Sequence, residues 1–419
     1  MWCLPTLILL GAAPLELSNL GDGAALPELV WRQSPELQAA RVRVAQAEAE
    51  RKKALRLPNP ELDLGVNTLP IGPLNPPDLK DPFLNVPNVA VGLSVLLEIG
   101  KRGPRQESTE EAARAAALDA LDQVRRKVLE LEDVIGDVAA AQVRVDALSG
   151  LTDDAQKLVE LQQKRSEKGD TSELDADRAR LELESTLTSL GEAKEGLSAA
   201  LRVCADTVAV TCLPFHDVAA ANAWLDRRFE VTRETAGRAD LRALEAAVRS
   251  ARAAQRLAAN GWIPDPTVRV GYVRDQFVIS GNQLNSLFVG VSFPLRIFEH
   301  GQDDAEAAAV AALSAERARD QLLTTATAQL TQLGQEIVAI EARQKRLREQ
   351  SVPLGRTVVQ RLDAAVTRGA APLQELLLAR RSLAELLLTA AELDRAVFHL
   401  HVARARLGNS LDSLPELTP

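Results

Sequence analysis

Aromatic side chains are scarce. The 419 residues include four Trp, one Tyr and eight Phe, 3% together. Compact cores draw on rings for the large area each buries, so this composition argues against an ordinary ring-built core. Histidine is equally thin, at four residues. No two have ligand spacing: His399 and His401 are two apart on a helix and face different sides, while His216 and His300 stand alone. A metal site is therefore not expected. There is no Gly-rich phosphate loop, nucleophile elbow or Cys-x-x-Cys, so neither a cofactor nor an enzyme is expected. Basic residues (49) are outnumbered by acids (58), and the net charge of -9 leaves no basic face for nucleic acid. Apart from a short N-terminal stretch, no apolar run approaches the ~18 residues of a membrane-spanning helix. What remains is 46% hydrophobic and 26% charged residues dominated by Ala, Leu, Arg and Glu, the vocabulary of long packed helices.

The chain repeats itself. "VGLSVLLEIGKRG" from Val91 is answered by "VGVSFPLRIFEHG" from Val289, 198 residues later. "LPNPELDLGV" from Leu57 meets "IPDPTVRVGY" from Ile263, and "SPELQAARVRVAQAEAE" from Ser34 meets "RADLRALEAAVRSARAA" from Arg238. Apolar positions at 3-4 spacing, Leu121, Val124, Val128, Leu131, Ile135 and Val138, are answered by Leu323, Ala326, Leu330, Leu333, Ile337 and Ile340. Even the interruption recurs, at Gln142 and Gln344. Such self-similarity predicts a tandem duplication. Residues 1-25 read as a signal-like segment, 26-225 as the first repeat and 226-419 as the second.

Each repeat predicts a helix (Pro35 to Leu57; Ala239 to Ala259), a Pro-x-Pro stop, two strands, a long helix and a returning helix. Leu62, Leu64 and Val66 alternate with Glu61, Asp63 and Asn67, and Val89, Val91, Leu93 and Val95 with Asn88, Ala90, Gly92 and Ser94. Val268, Val270 and Tyr272, then Leu287, Val289, Val291 and Phe293, do the same in the second repeat, where Phe288 spoils the polar face. Period-two alternation predicts half-buried strands. The polar face would meet water outside a soluble sandwich or inside a membrane barrel. Four strands cannot close a barrel, so copies must pool theirs; three copies give twelve. Gly103 to Gly169 and Gly301 to Gly369 each span about 66 to 68 residues, roughly 100 Å of helix, with Pro353 bending the second arm. Leu4 to Leu15 has the length of a secretory h-region but lacks preceding Lys or Arg. It reads as a shortened or mis-started signal or as an ordinary apolar segment, and Cys3 is too close to Met1 for a normal lipoprotein signal. Cys204 and Cys212 are either a small disulfide loop or two buried thiols.

"LEIGKRGPRQESTEEAARAAALDAL" and "FPLRIFEHGQDDAEAAAVAALSAERA" resemble the strand-to-helix junctions of the TolC family of outer-membrane efflux channels, and "SPELQAARVRVAQAEAERKKALRLPNPELDLG" resembles that family's opening segment. The likeness runs from about Leu26 to Leu411. It departs from the family pattern at Ser166 and Val366, where an aromatic usually precedes the helix-turning Gly. The resemblance implies a mainly α fold with a small β part: a homotrimer whose twelve-stranded outer-membrane barrel continues into an α-helical coiled-coil tunnel in the periplasm of a Gram-negative envelope. It also implies passive conduction, a periplasmic membrane-fusion adaptor and an inner-membrane pump of the resistance-nodulation-division type. "EIGKRGPR" is most similar to members paired with heavy-metal cation exporters. On that reading Leu62, Leu64, Val91, Leu93, Val268, Val270, Val289 and Val291 belong to strands facing outer-membrane lipid. Gly169 and Gly369, C-cap glycines in any reading, form the adaptor-docking tip with Arg165, Leu174, Arg368, Leu373 and Leu376; Asp170 and Asp175 would form acidic rings at the pore entrance, or, at Asp170, a solvated helix start whose charge favours the N-terminal dipole. The rival readings are a coiled-coil scaffold without a pore, a secretion exit duct and a periplasmic adaptor. The scaffold leaves four alternating strands at matching points of two repeats without a purpose.

Overall fold

The computed structural model describes residues 14–20, 25–69, 71, 81–229, 237–276, 283–298 and 300–408. In chain order the elements are β1 (Leu15–Glu16), α1 (Leu26–Gln33), α2 (Pro35–Leu55), β2 (Glu61–Asn67), α3 (Pro82–Asn85), β3 (Asn88–Leu96), α4 (Arg102–Glu167) and α5 (Glu173–Val208). Then come β4 (Cys212–Leu213), α6 (Val218–Leu225), α7 (Ala239–Ala259), β5 (Thr267–Asp275), β6 (Asn285–Ser292), α8 (Gln302–Arg346), α9 (Val352–Thr367) and α10 (Leu373–Leu407). Helix α2 ends before Pro58 and Pro60, and α7 runs through one 3-10 turn before Pro264 and Pro266. Proline lacks the donor and clashes with the preceding turn, which is why both stop there. The second long arm is interrupted by a π-helical turn at Leu347–Ser351, immediately before Pro353. A proline cannot donate to the preceding turn, and a π bulge absorbs the break while the arm stays helical.

The chain forms two compact units. The first holds Met1–Arg41, Asp119–Leu241 and Leu322–Pro419; the second holds Val42–Leu118 and Arg242–Gln321.

In the first unit the α4 seam is the spine. Val124, Val128, Leu131, Ile135 and Val138 are all buried, against Phe398 and Val402 of α10 and Trp224 and Leu225 of α6. The equivalent seam of α8 is covered less: Ala326 and Ile337 are buried, but Leu323 is 41% exposed. The seam glutamines explain why the apolar pattern breaks twice. Gln142 Nε2 donates to the Phe215 carbonyl at 2.8 Å, and its Oε1 accepts from the Phe215 N–H at 2.9 Å. Gln344 Nε2 donates to Asp394 at 2.7 Å. Each polar side chain is thus satisfied inside the packing rather than stranded there.

The N-terminal part of this unit goes beyond the sequence reading. Cys204 and Cys212 are bonded, with Cα atoms 6.1 Å apart. The bond holds β4 to the end of α5, and β4 pairs in parallel with β1, Leu15 opposite Cys212. Leu17 and Leu20, inside the stretch read as signal-like, are buried in the main core. That stretch therefore contributes residues 14–20 to the fold, while Met1 to Ala13, with Cys3, lies outside the described residues.

Helices α4 and α10 are joined by one tight apolar contact and one polar clasp. An added Cβ at Gly136 would stand 2.4 Å from the fully buried Phe398 ring, so only glycine fits beneath it. One residue on, His399 Nδ1 meets Asp133 at 2.8 Å and Nε2 meets Asp137 at 2.7 Å. Arg406 and Arg395 reach the same two carboxylates. The hydrogen bonds to Asp133 and then Asp137 raise His399 from 6.5 to about 9. Nearby, Arg227 forks onto the buried Glu132 at 2.9 Å and 3.1 Å and stacks on Trp224 at 4.1 Å.

Two outcomes follow. Gly136→Ala forces the Phe398 ring to move and should destabilise the protein by about 1–3 kcal/mol. The cost should shrink when Phe398→Leu is added, as urea midpoints of the four proteins will show; an unchanged midpoint for the single variant would sink this account. The His399 clasp stabilises fully below pH 6.5 and loses that contribution as pH rises through about 9, because the folded state holds the proton more tightly. Thermal melts between those values should therefore fall more steeply in the parent than in His399→Gln.

Candidate functional site

The second unit is built on an antiparallel sheet of order β2-β3-β5-β6. Its register lines up the alternation read from the sequence. Leu62, Leu93, Val270 and Val289 form one row straight across the four strands, and Leu64, Val91, Tyr272 and Leu287 form the next. Val95, Val268 and Val291 form a third. Successive residues of a strand point to opposite faces, so these rows make one continuous apolar face. Most of it is bare, with Leu287 80% exposed. A bare face of this kind on a soluble sheet would be a liability; against lipid it is the required surface.

The opposite face is made of small and polar residues. Asp63, Gly92, Gly271 and Phe288 share a row, and Glu61, Ser94, Arg269 and Gly290 share another. Phe288, which breaks the alternation, has a place prepared for it. Cβ atoms at Gly271 and Gly92 would lie 2.4 Å and 3.2 Å from its ring. The two glycines leave a slot on neighbouring strands, and the ring covers the backbone they expose.

The sheet passes into the long helices at two left-handed glycines, Gly100 (φ 71°) and Gly301 (φ 82°). The sequence echo aligns Gly103 with Gly301, but Gly103 lies in the first turn of α4, and Gly100 makes the turn. Lys101 pairs with Asp265 at 2.6 Å, Asp265 also accepts from the Ile99 N–H, and Arg105 pairs with Glu98. The Gly-Lys-Arg cluster thus ties the β3 exit to the residues preceding β5.

In the first unit, Gly169 (φ 79°) and Gly369 (φ 71°) make two turns of the same construction. Gly169 N–H bonds to the Ser166 carbonyl and Asp170 N–H to that of Arg165, at 2.9 Å and 2.8 Å. Gly369 and Ala370 repeat the pattern on Val366 and Ala365, at 3.0 Å and 2.8 Å. This is the Schellman closure, which needs a residue at positive φ. Arg165 links the two turns by donating to the Val366 carbonyl at 2.9 Å, and Arg368 caps its own helix at Ala364. Leu373 and Leu376 are buried, the latter at 0% exposure, in a cluster with Leu158, Val159, Ala179 and Val366. They hold the turns together; Leu174, 58% exposed, is the apolar residue offered to solvent. Asp175 takes part in the N-cap of its helix: its N–H donates to Ser172 Oγ at 3.2 Å, and its carboxylate accepts from that hydroxyl at 2.8 Å. Asp170 is exposed.

Sequence reasoning placed the strands, the turn glycines and the seams. It missed the β1–β4 pairing, because two-residue strands leave no periodicity, and the Phe288 slot, because the register that puts Phe288 beside Gly271 is not local.

Residues 26–202 match the outer membrane efflux protein family. No curated protein matches the chain. Among solved structures, the outer-membrane channel OprN matches with 18% identity over 93% of this chain and 90% of its own, at a TM-score of 0.70. CusC, described for its folding and transmembrane channel formation, matches with 15% identity, 93% and 92% coverage and a TM-score of 0.75. The CmeC outer membrane channel of Campylobacter jejuni matches with 15% identity, 93% and 86% coverage and a TM-score of 0.72. Residues 26–202 are thus similar to the outer membrane efflux protein family, and over nine-tenths of its length the chain has the fold of these channels.

Proposed function

We propose that the chain is the exit duct of a tripartite efflux system: a passive outer-membrane channel made of three copies. The observation that carries this reading is the four-stranded sheet with one bare apolar face and two open edges, β2 and β6. Unpaired backbone groups cost several kcal/mol each in hydrocarbon, so such a sheet enters lipid only if copies close it into a ring. Three copies supply twelve strands, enough for a water-filled lumen lined by the Asp63 and Arg269 face. The half-covered α8 seam supports the same association, since another copy would cover Leu323. Each chain then contributes residues 26-225 and 226-419 as two repeats of one wall, continued as a coiled-coil tunnel through the periplasm. A pore-free scaffold has no use for a bare apolar sheet.

The paired glycine turns are the end that meets a periplasmic adaptor, with Leu174 and Arg368 as exposed contacts and Leu373 and Leu376 as the packing behind them. Asp170 and Asp175 ring the entrance and favour cations; Asp170 is the freer of the two, since Asp175 serves its helix cap. An inner-membrane pump of the resistance-nodulation-division type supplies the energy. Heavy-metal cations are the substrate class to try first, on the likeness of "EIGKRGPR" to such members.

Val291→Arg puts a charge on the lipid face and should cost about 2–4 kcal/mol if the position is near the midplane. Heat-resistant trimers should disappear from membranes, and undiminished trimer would count heavily against the barrel. In planar bilayers the parent should give stepwise conductance with cation preference. Asp170→Asn with Asp175→Asn should reduce that preference while the trimer persists, and silence of well-folded trimers under all conditions would end the channel reading.

A further inference from the structure

At the end of α5 the chain turns back within a loop of sequence separation 8, closed by the bond between Cys204 of α5 and Cys212 of β4. Inside the loop Ala209 stands at φ 56°, one of three non-glycine residues at positive φ among the described residues. A side chain there crowds the following carbonyl, so this turn does not hold itself in place. What the loop presents is the short edge of β4. The Leu15 N–H donates to the Thr211 carbonyl at 2.8 Å. The His216 N–H donates to Ser18 Oγ at 2.8 Å. Strand β1 runs parallel to β4 with Leu15 opposite Cys212. A two-residue ladder is too short to set its own register. The bond at Cys212 and the Gln142 bracket on Phe215 set it instead.

The docked strand in turn hides the sulfurs. Cys204 is 0% and Cys212 5% exposed. Leu17 and Leu20 share one buried cluster with both cysteines. Thiol–disulfide exchange requires a thiolate to reach a sulfur. With β1 in place no such reagent reaches this pair, either to make the bond or to break it.

We propose that Cys204 and Cys212 are a modification site, joined by a disulfide-bearing thiol oxidant before β1 docks, and that β1 then seals the bond. One cysteine thiolate attacks the oxidant's disulfide, which gives a mixed disulfide and releases one oxidant thiol. The thiolate of the second cysteine then displaces the other. The pair loses two protons and two electrons, and the oxidant leaves as a dithiol. Bond formation fixes the Ala209 turn and offers the Thr211 carbonyl. Docking of Leu15, Leu17 and Leu20 closes over the sulfurs. Coupling of this kind is reciprocal: whatever loosens β1 exposes the bond, and whatever removes the bond loosens β1. Oxidation therefore takes place in a compartment that holds such an oxidant, ahead of the final packing of the N-terminal strand. The latch is independent of the channel reading.

The test follows both directions in the full-length protein. Peptide mapping after alkylation of unfolded, unreduced protein should find Cys204 bonded to Cys212, and two free thiols there overturn the proposal. Under native conditions dithiothreitol should reduce the bond of Leu17→Asn/Leu20→Asn about tenfold faster than that of the parent, or more. Leu15→Pro lacks the N–H given to Thr211 and keeps both core leucines, so it should shift the rate in the same sense even where the double variant fails to fold. Equal rates in the parent and Leu15→Pro overturn the seal. In the other direction, Cys204→Ala/Cys212→Ala should speed hydrogen exchange of residues 14–20, and that acceleration should exceed the one at residues 124–138 of α4 by about tenfold. Unchanged exchange at 14–20 overturns the latch. Equal acceleration of the two segments makes the bond a general staple of the unit, and overturns it too.

Discussion

Everything in this molecule follows from backbone groups that need partners. A four-stranded sheet has two edges, and β2 and β6 are those edges here. In water they could be left to solvent. With three apolar rows on one face, water is the wrong medium for the sheet, and lipid cannot satisfy the edges. The proposed ring of copies resolves both demands at once.

The first unit meets the same demand by internal means. Several polar groups that interrupt the helix seams have an answer across the packing: Gln142 on the Phe215 backbone, Gln344 on Asp394, Glu132 on Arg227, His399 on two aspartates; the buried Gln162 Nε2 has none among the described residues. The free carbonyls at the end of α10 are answered too, by Arg125 on Arg406 and Arg238 on Leu407, at 2.9 Å and 2.6 Å. Breaking one partner of such a buried pair leaves a charge or donor without solvent, which costs more than the bond itself contributed. These contacts specify which helix faces meet.

Much of this was legible in the sequence because the signals were periodic or local. Strand alternation at Val89 to Val95 and Leu287 to Val291 needs no knowledge of partners. The positive φ at Gly169 and Gly369 follows from a helix that must end and reverse. What stayed hidden depends on side chains far apart in the chain. Leu373 and Leu376 look like surface leucines of a turn, yet Leu158 and Val366 bury them. Leu17 looks like part of a leader, yet β4 and the Cys204–Cys212 bond hold its neighbours in the core. The two seams had the same pattern and different burial, because pattern reports which face is apolar and not what covers it.

That difference between the seams bears on how the two halves of the chain would build the proposed wall. Two identical repeats would bury identical surfaces, and a second copy would find nothing left to bind that the first repeat had not already matched. Here the α4 seam is used up inside the chain by α6 and α10, while the α8 seam keeps Leu323 uncovered. The sheet-to-helix junctions differ too: both leave apolar residues bare, Leu97 and Ile99 in one and Leu295, Ile297 and Phe298 in the other, but only the first adds the ion pairs of Lys101 and Arg105 among the described residues. Matched lengths of helix and strand are what the proposed closed ring requires. On the proposed reading, the α4 seam is spent inside the chain and the α8 seam is left for a neighbouring copy to cover.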